Sequence, residues 1–130
     1  MKNYYREKRT FLPWSEGKII GYLNEEIVKD YTPGESQSEN PETFDAFSYD
    51  GTERDGGTIM DCQDVTNRDE LSNAIIRAKY NASAEAAIKR HHMLLQDDST
   101  IAKADEYKAE WEAFNAWCDY AISTADSWLQ

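Results

Sequence analysis

Cysteine, histidine and proline are scarce in this chain: two, two and three among 130 residues. Cys62 and Cys118 are too few and too far apart to make a disulfide framework, and they suit a reducing compartment. His91 and His92 are neighbours in sequence. Successive helical residues point about 100° apart, so the pair cannot clamp one metal as an i, i+4 pair does. There is no HExxH, CxxC, GxGxxG or GxxxxGK pattern. No apolar run approaches the roughly 20 residues needed to cross a bilayer. The first ten residues are polar, and Pro13, Glu16 and Gly17 break the stretch that follows, so no leader peptide is expected.

Basic residues are also few. Lys and Arg total 14 against 25 Asp and Glu, for a net charge of −11. Nucleic acid and anionic membranes are therefore not the expected partners, because both are recognised by clustered cations. Lys2, Arg6, Lys8 and Arg9 form the one basic patch and read as a solvated terminus. The acidity is concentrated in residues 31–70, which carry eleven acidic and two basic residues. Arg77, Lys79 and Arg90 are available to pair with that segment.

Abundant carboxylates do not by themselves make a catalytic pair, and no serine sits in a nucleophile-elbow setting. Asp61 and Asp64 beside Cys62 would raise its thiol pKa. Asp50, Glu53, Asp55, Asp61 and Asp64 fail the calcium-loop pattern: Asp55 stands where glycine is required, and Asp61 where glutamate is. A non-enzymatic protein without a cofactor is expected. The alternative is a small ligand- or divalent-cation-binding module built on the acidic and aromatic loop 44–64.

What the chain does have is enough apolar residue, 40%, for a real core. The expected fold is α+β in one domain, with a β and loop part at 1–66 and a helical part at 67–130. Residues 18–23 and 26–31 are β-prone and predict a small N-terminal hairpin packed on the helices, with helix the rival for 24–31 because Asn24 could cap it. Residues 32–58 are turn-rich, and Phe44, Phe47 and Tyr49 lie in a loop-like context. Thr58–Met60 suits one more short strand. Asn67 and Glu70 fit a capping box that opens a helix through Tyr80. Ser83 caps a second helix to about residue 95. A long last helix follows over 101–128.

That last helix carries Tyr107, Trp111, Phe114, Cys118, Ala121, Ala125 and Trp128 at alternating spacings of four and three. The first half of the stripe is expected to cover the chain's own core. The two preceding helices look too short to reach its far end. Ala121 to Leu129 is therefore expected to stay uncovered, with Trp117, Ile122, Trp128 and Leu129 as candidate interaction residues.

The stretch Asn73-Ala-Ile-Ile-Arg-Ala-Lys-Tyr80, then Ala84-Glu-Ala-Ala-Ile-Lys-Arg90, then Glu112-Ala-Phe-Asn-Ala-Trp-Cys118 resembles small uncharacterised proteins of prophage and phage structural modules in Bacteroides-like bacteria. Tyr80, Ile88, Arg90, Tyr107, Phe114 and Cys118 carry the resemblance, which spans residues 47–120 and extends upstream to Tyr49 and Asp55-Gly-Gly-Thr58. It implies a phage-particle accessory or assembly protein, cytoplasmic or virion-associated, working with a protein partner or as a homo-oligomer.

Overall fold

A computed structural model describes residues 1–33 and 43–130. The chain divides into two compact units, Met1–Asp61 and Cys62–Gln130. The first is all β and the second is helical, so the α+β class and the long final helix are as the sequence predicts.

Among the described residues the β unit holds six strands: β1 (Lys2–Tyr5), β2 (Phe11–Ser15), β3 (Lys18–Gly21), β4 (Glu26–Tyr31), β5 (Phe44–Asp50) and β6 (Thr58–Asp61). They form two antiparallel three-stranded sheets, ordered β1-β5-β4 and β2-β3-β6. The expected hairpin over 18–31 is therefore corrected. β3 and β4 belong to different sheets, and β3 makes its hairpin with β2. The redirection occurs at Asn24, whose φ of 58° is a left-handed conformation that asparagine tolerates. Its side-chain amide donates to the Asp50 carbonyl at 3.1 Å.

Phe44–Asp50, read as loop, is instead the central strand of the first sheet. Ala46, Ser48 and Tyr49 are buried. The part of the turn-rich reading that falls on residues 34–42 lies outside the described residues. β4 carries one extra residue between Val28 and Tyr31 relative to β5. Asp45 holds this bulge by accepting from the Asp30 backbone N–H at 3.2 Å and from Lys29 Nζ at 3.0 Å. The Lys29 contact, then the Asp30 one, keeps the Asp45 carboxyl below its usual range.

The helical unit contains α1 (Arg68–Lys79), α2 (Ala82–Asp97) and α3 (Ala104–Trp128). Asn67 caps α1 by accepting from the Glu70 N–H at 3.1 Å. The box is not reciprocal, because Glu70 reaches back to the Gln63 N–H at 2.9 Å. Asn81, not Ser83, caps α2, accepting from the Ala84 N–H at 2.7 Å. Only Tyr80 and Asn81, both extended, separate α1 from α2. α3 lacks a side-chain cap but has Asp105 and Glu106 in its first turn, where negative charge suits the helix dipole.

The 25 residues of α3 span about 37 Å. α2 packs on its first half through His91–Tyr107 and His92–Trp111, and α1 on its second half through Trp117 and Asp126. The two short helices thus brace the long one in series. Ala121 and Ala125 are fully buried, which corrects the expectation of an uncovered far end for these two positions, while Ile122 and Leu129 remain exposed. The small alanine side chains let α1 lie close.

Candidate functional site

The four helical candidates do not form one surface of uniform character. Trp117 is turned to the unit's own backbone: its indole N–H donates to the Ile75 carbonyl at 3.1 Å, and Lys79 Nζ sits 4.8 Å from its ring centroid. Trp128 is half-buried. Ile122 and Leu129 are the exposed members, at 39% and 38%. Arg77 has its described partners within the helical unit. It bonds Glu85 at 3.2 Å and the Tyr80 carbonyl at 3.3 Å, tying the end of α1 to the start of α2. Hydrogen bonds from Arg77 and then Lys89 hold the Glu85 carboxyl below its ordinary value.

His91 Nδ1 lies 2.6 Å from Glu110 Oε1, and its ring stacks on Tyr107 at 4.1 Å. His92 stacks on Trp111 at 3.8 Å. Both histidines thus take part in the α2–α3 packing. Burial, then nearby carboxylates, pushes the thiols of Cys62 and Cys118 up, so both stay protonated near neutrality.

The acidic loop sends its carboxylates to separate partners. Asp61 pairs with Lys18, and Asp64 accepts from Thr66. Asp55 binds Tyr22 and the Gly57 N–H. Among the described residues no group of three or more His, Cys, Asp or Glu is placed to hold a metal. Also among the described residues, no helix is long and apolar enough to cross a membrane.

Two features of the β unit escaped the sequence reading. The first is Trp14. The β2–β3 ladder pairs Pro13 with Ile19 and Ser15 with Lys18, so Trp14 is the extra residue of a bulge. It projects to solvent at 56% exposure, with Leu12 beside it at 50%. β2 is an edge strand, and Pro13 removes a backbone donor from that edge. The signal was present in Phe11-Leu-Pro-Trp-Ser15, since proline within a strand-like run marks an edge or a bulge.

The second feature is a cluster of rings and cations. Tyr22 meets Tyr5 edge-on at 6.0 Å and Tyr49 at 5.6 Å. The Arg9 guanidinium lies 4.0 Å from the Tyr5 centroid and 5.2 Å from that of Tyr22, and donates to the Tyr22 hydroxyl at 3.2 Å. The Tyr22 hydroxyl in turn donates to Asp55 at 2.8 Å. The Tyr49 hydroxyl accepts the Arg9 backbone N–H at 2.8 Å. Beside this cluster is an open groove of about 540 Å³, lined by Tyr4, Tyr5, Arg6, Glu7, Lys8, Arg9, Pro33 and Phe44.

Burial, followed by the bond to Asp55, raises the Tyr22 pKa above its ordinary 10.0. An acid whose folded pKa is raised stabilises the fold below the unfolded value and loses that contribution as pH climbs past it. The thermal midpoint of the native chain should therefore fall more steeply than that of Tyr22→Phe above pH 10.0. Parallel curves from calorimetry across that range would show that Tyr22 is not the titrating group.

Comparison of the chain with family models, with curated proteins and with solved structures gives no match.

Proposed function

We propose that this chain is a non-enzymatic interaction protein whose principal contact is the β2–β3 hairpin. The observation that carries the reading is Trp14. A bulge turns the largest apolar side chain of the strand toward water, and Leu12 extends the same exposed patch. Tryptophan is enriched among residues that dominate binding energy. The missing donor at Pro13 disfavours strand addition along this edge, so recognition runs through side chains. Ile122 on α3 and Leu129, its C-cap, are further exposed apolar residues in the helical unit.

A role as a phage-particle accessory or assembly factor is the setting we propose for this contact. Its support is the resemblance carried by Tyr80, Ile88, Arg90, Tyr107, Phe114 and Cys118.

The test is site-directed photo-crosslinking in cells that make the protein. A crosslinking residue at position 14 should give a discrete adduct, with a second copy or with another protein. The same residue at position 99, in an exposed polar turn, should not. Leu12→Ser should weaken the adduct from position 14. Equal labelling from both positions, or none from 14, would sink the proposal. An adduct from position 122 alone would move the contact to α3.

A further inference from the structure

We propose that the outward face of α2 is a self-association surface, on which a second copy of this chain docks antiparallel about a two-fold axis passing between Met93 and Leu94. This surface is separate from the Trp14 hairpin and does not rest on that reading. On its inner side α2 buries Ile88 and stacks His91 and His92 on rings of α3. The opposite side carries Ala86, Arg90, Met93, Leu94 and Asp97, all exposed. Met93 and Leu94 are large apolar side chains side by side, 64% and 48% exposed. At about 100° per residue, Arg90 and Asp97 fall on one line along the helix, two turns apart, and Met93 and Leu94 flank that line between them.

Charge complementarity selects a second copy as the occupant. Among the described residues, neither the Arg90 nor the Asp97 side chain has a hydrogen-bond or ion-pair partner. They lie about 10 Å apart along the axis and do not meet within one chain. An antiparallel copy centred between residues 93 and 94 reverses their order. Arg90 of each copy then faces Asp97 of the other, because the two positions are equidistant from the centre. Met93 and Leu94 of both copies meet in the middle. Asp97 also stands in the last turn of α2, which has no basic residue of its own. Negative charge there opposes the helix dipole, and Arg90 from the second copy supplies the missing cation.

The apolar centre supplies attraction, and the two charge pairs fix direction and register. A parallel copy would set Arg90 against Arg90 and Asp97 against Asp97, and like charges opposite one another suppress that arrangement. α2 has 16 residues, and one helix pair of that length buries less than a standard interface. The dimer is therefore weak and forms as the protein is concentrated.

Sedimentation velocity of the full chain across a series of concentrations tests the surface. The native chain should shift from monomer toward dimer as concentration rises. Arg90→Asp or Asp97→Arg alone sets like charges opposite each other and should weaken dimerisation about tenfold. Both positions are exposed, so these variants should keep the helical circular dichroism signal. The double variant Arg90→Asp with Asp97→Arg rebuilds both pairs and should dimerise again. An equimolar mixture of the two single variants should form a heterodimer. Leu94→Cys, beside the axis, should give an intermolecular disulfide on mild oxidation, whereas Ser123→Cys, exposed on α3, should not. The proposal fails if the native chain stays monomeric at every concentration, or if either single swap leaves the dimer intact. It also fails if the double swap does not restore what the single swaps lose. Loss of the dimer in Trp14→Ser would overturn it as well, by assigning self-association to the hairpin.

Discussion

Replacing Tyr49 by alanine should cost about 3–5 kcal/mol of unfolding free energy, a large part of the total for a chain this size. Tyr49 is fully buried in β5, the central strand of its sheet. Its ring contacts Tyr5 from the same sheet and Tyr22, which directly follows β3 of the other sheet. Its hydroxyl holds the Arg9 N–H. Truncation therefore opens a cavity where the two sheets meet and also strands a backbone donor. Tyr49→Phe separates the two effects. It keeps the ring and should cost only about 1 kcal/mol, for the lost hydrogen bond. Urea denaturation measures both. A Tyr49→Ala loss no larger than that of Tyr49→Phe would mean that the ring cluster does not join the sheets.

Phe114→Ala should be comparably severe in the helical unit, again about 3–5 kcal/mol. Phe114 lies near the middle of α3, where α1 stops and α2 begins. It is buried, meets Tyr80 edge-on at 5.1 Å with rings at 90°, and contacts Trp111 at 6.4 Å. Tyr80 is also the residue that breaks the α1–α2 run, so the mutation loosens the point where both braces are fastened. Ile122→Ala, on the exposed side of α3, should change stability by no more than about 0.5 kcal/mol. Circular dichroism during urea unfolding distinguishes them. Equal midpoints for the two variants would contradict this packing.

The helices were legible because their signals are local. The spacing of Tyr107 to Trp128 and the cap at Asn67 each involve residues within a turn or two of one another. What sequence could not show was how the helices share α3. The two shorter helices looked too short to cover Ala121 and Ala125, but α2 and α1 lie on successive halves of α3 and divide its length between them. The strands were read less well because pairing is non-local. Adjacency favours a hairpin between 18–21 and 26–31, but the left-handed turn at Asn24 sends β4 to β5. β5 was missed because its apolar residues fall on both faces, as in a strand flanked on each side. Trp14 was overlooked for a related reason: its exposure depends on a bulge created by register with β3. The basic run at residues 6–9 passed for solvated charge, because Phe44 and Tyr22 are distant in sequence from the arginines that rest on them.

The strand order also has a consequence for synthesis. In the first sheet, the strand that both β1 and β4 bond to is β5, the last of the three to be made. In the second sheet β6 closes the set. A nascent chain therefore carries β1 and β4 without their hydrogen-bonding neighbour until residues 44–50 have left the ribosome, and the second sheet is incomplete until residue 61 follows. Such long-range pairing is slow to form and leaves strand edges open meanwhile. The helical unit needs no comparable wait for α1 and α2, each capped by its own asparagine. Interrupting translation between β4 and β5 would thus release a chain with no completed sheet, and the β unit is where chaperone dependence should be concentrated.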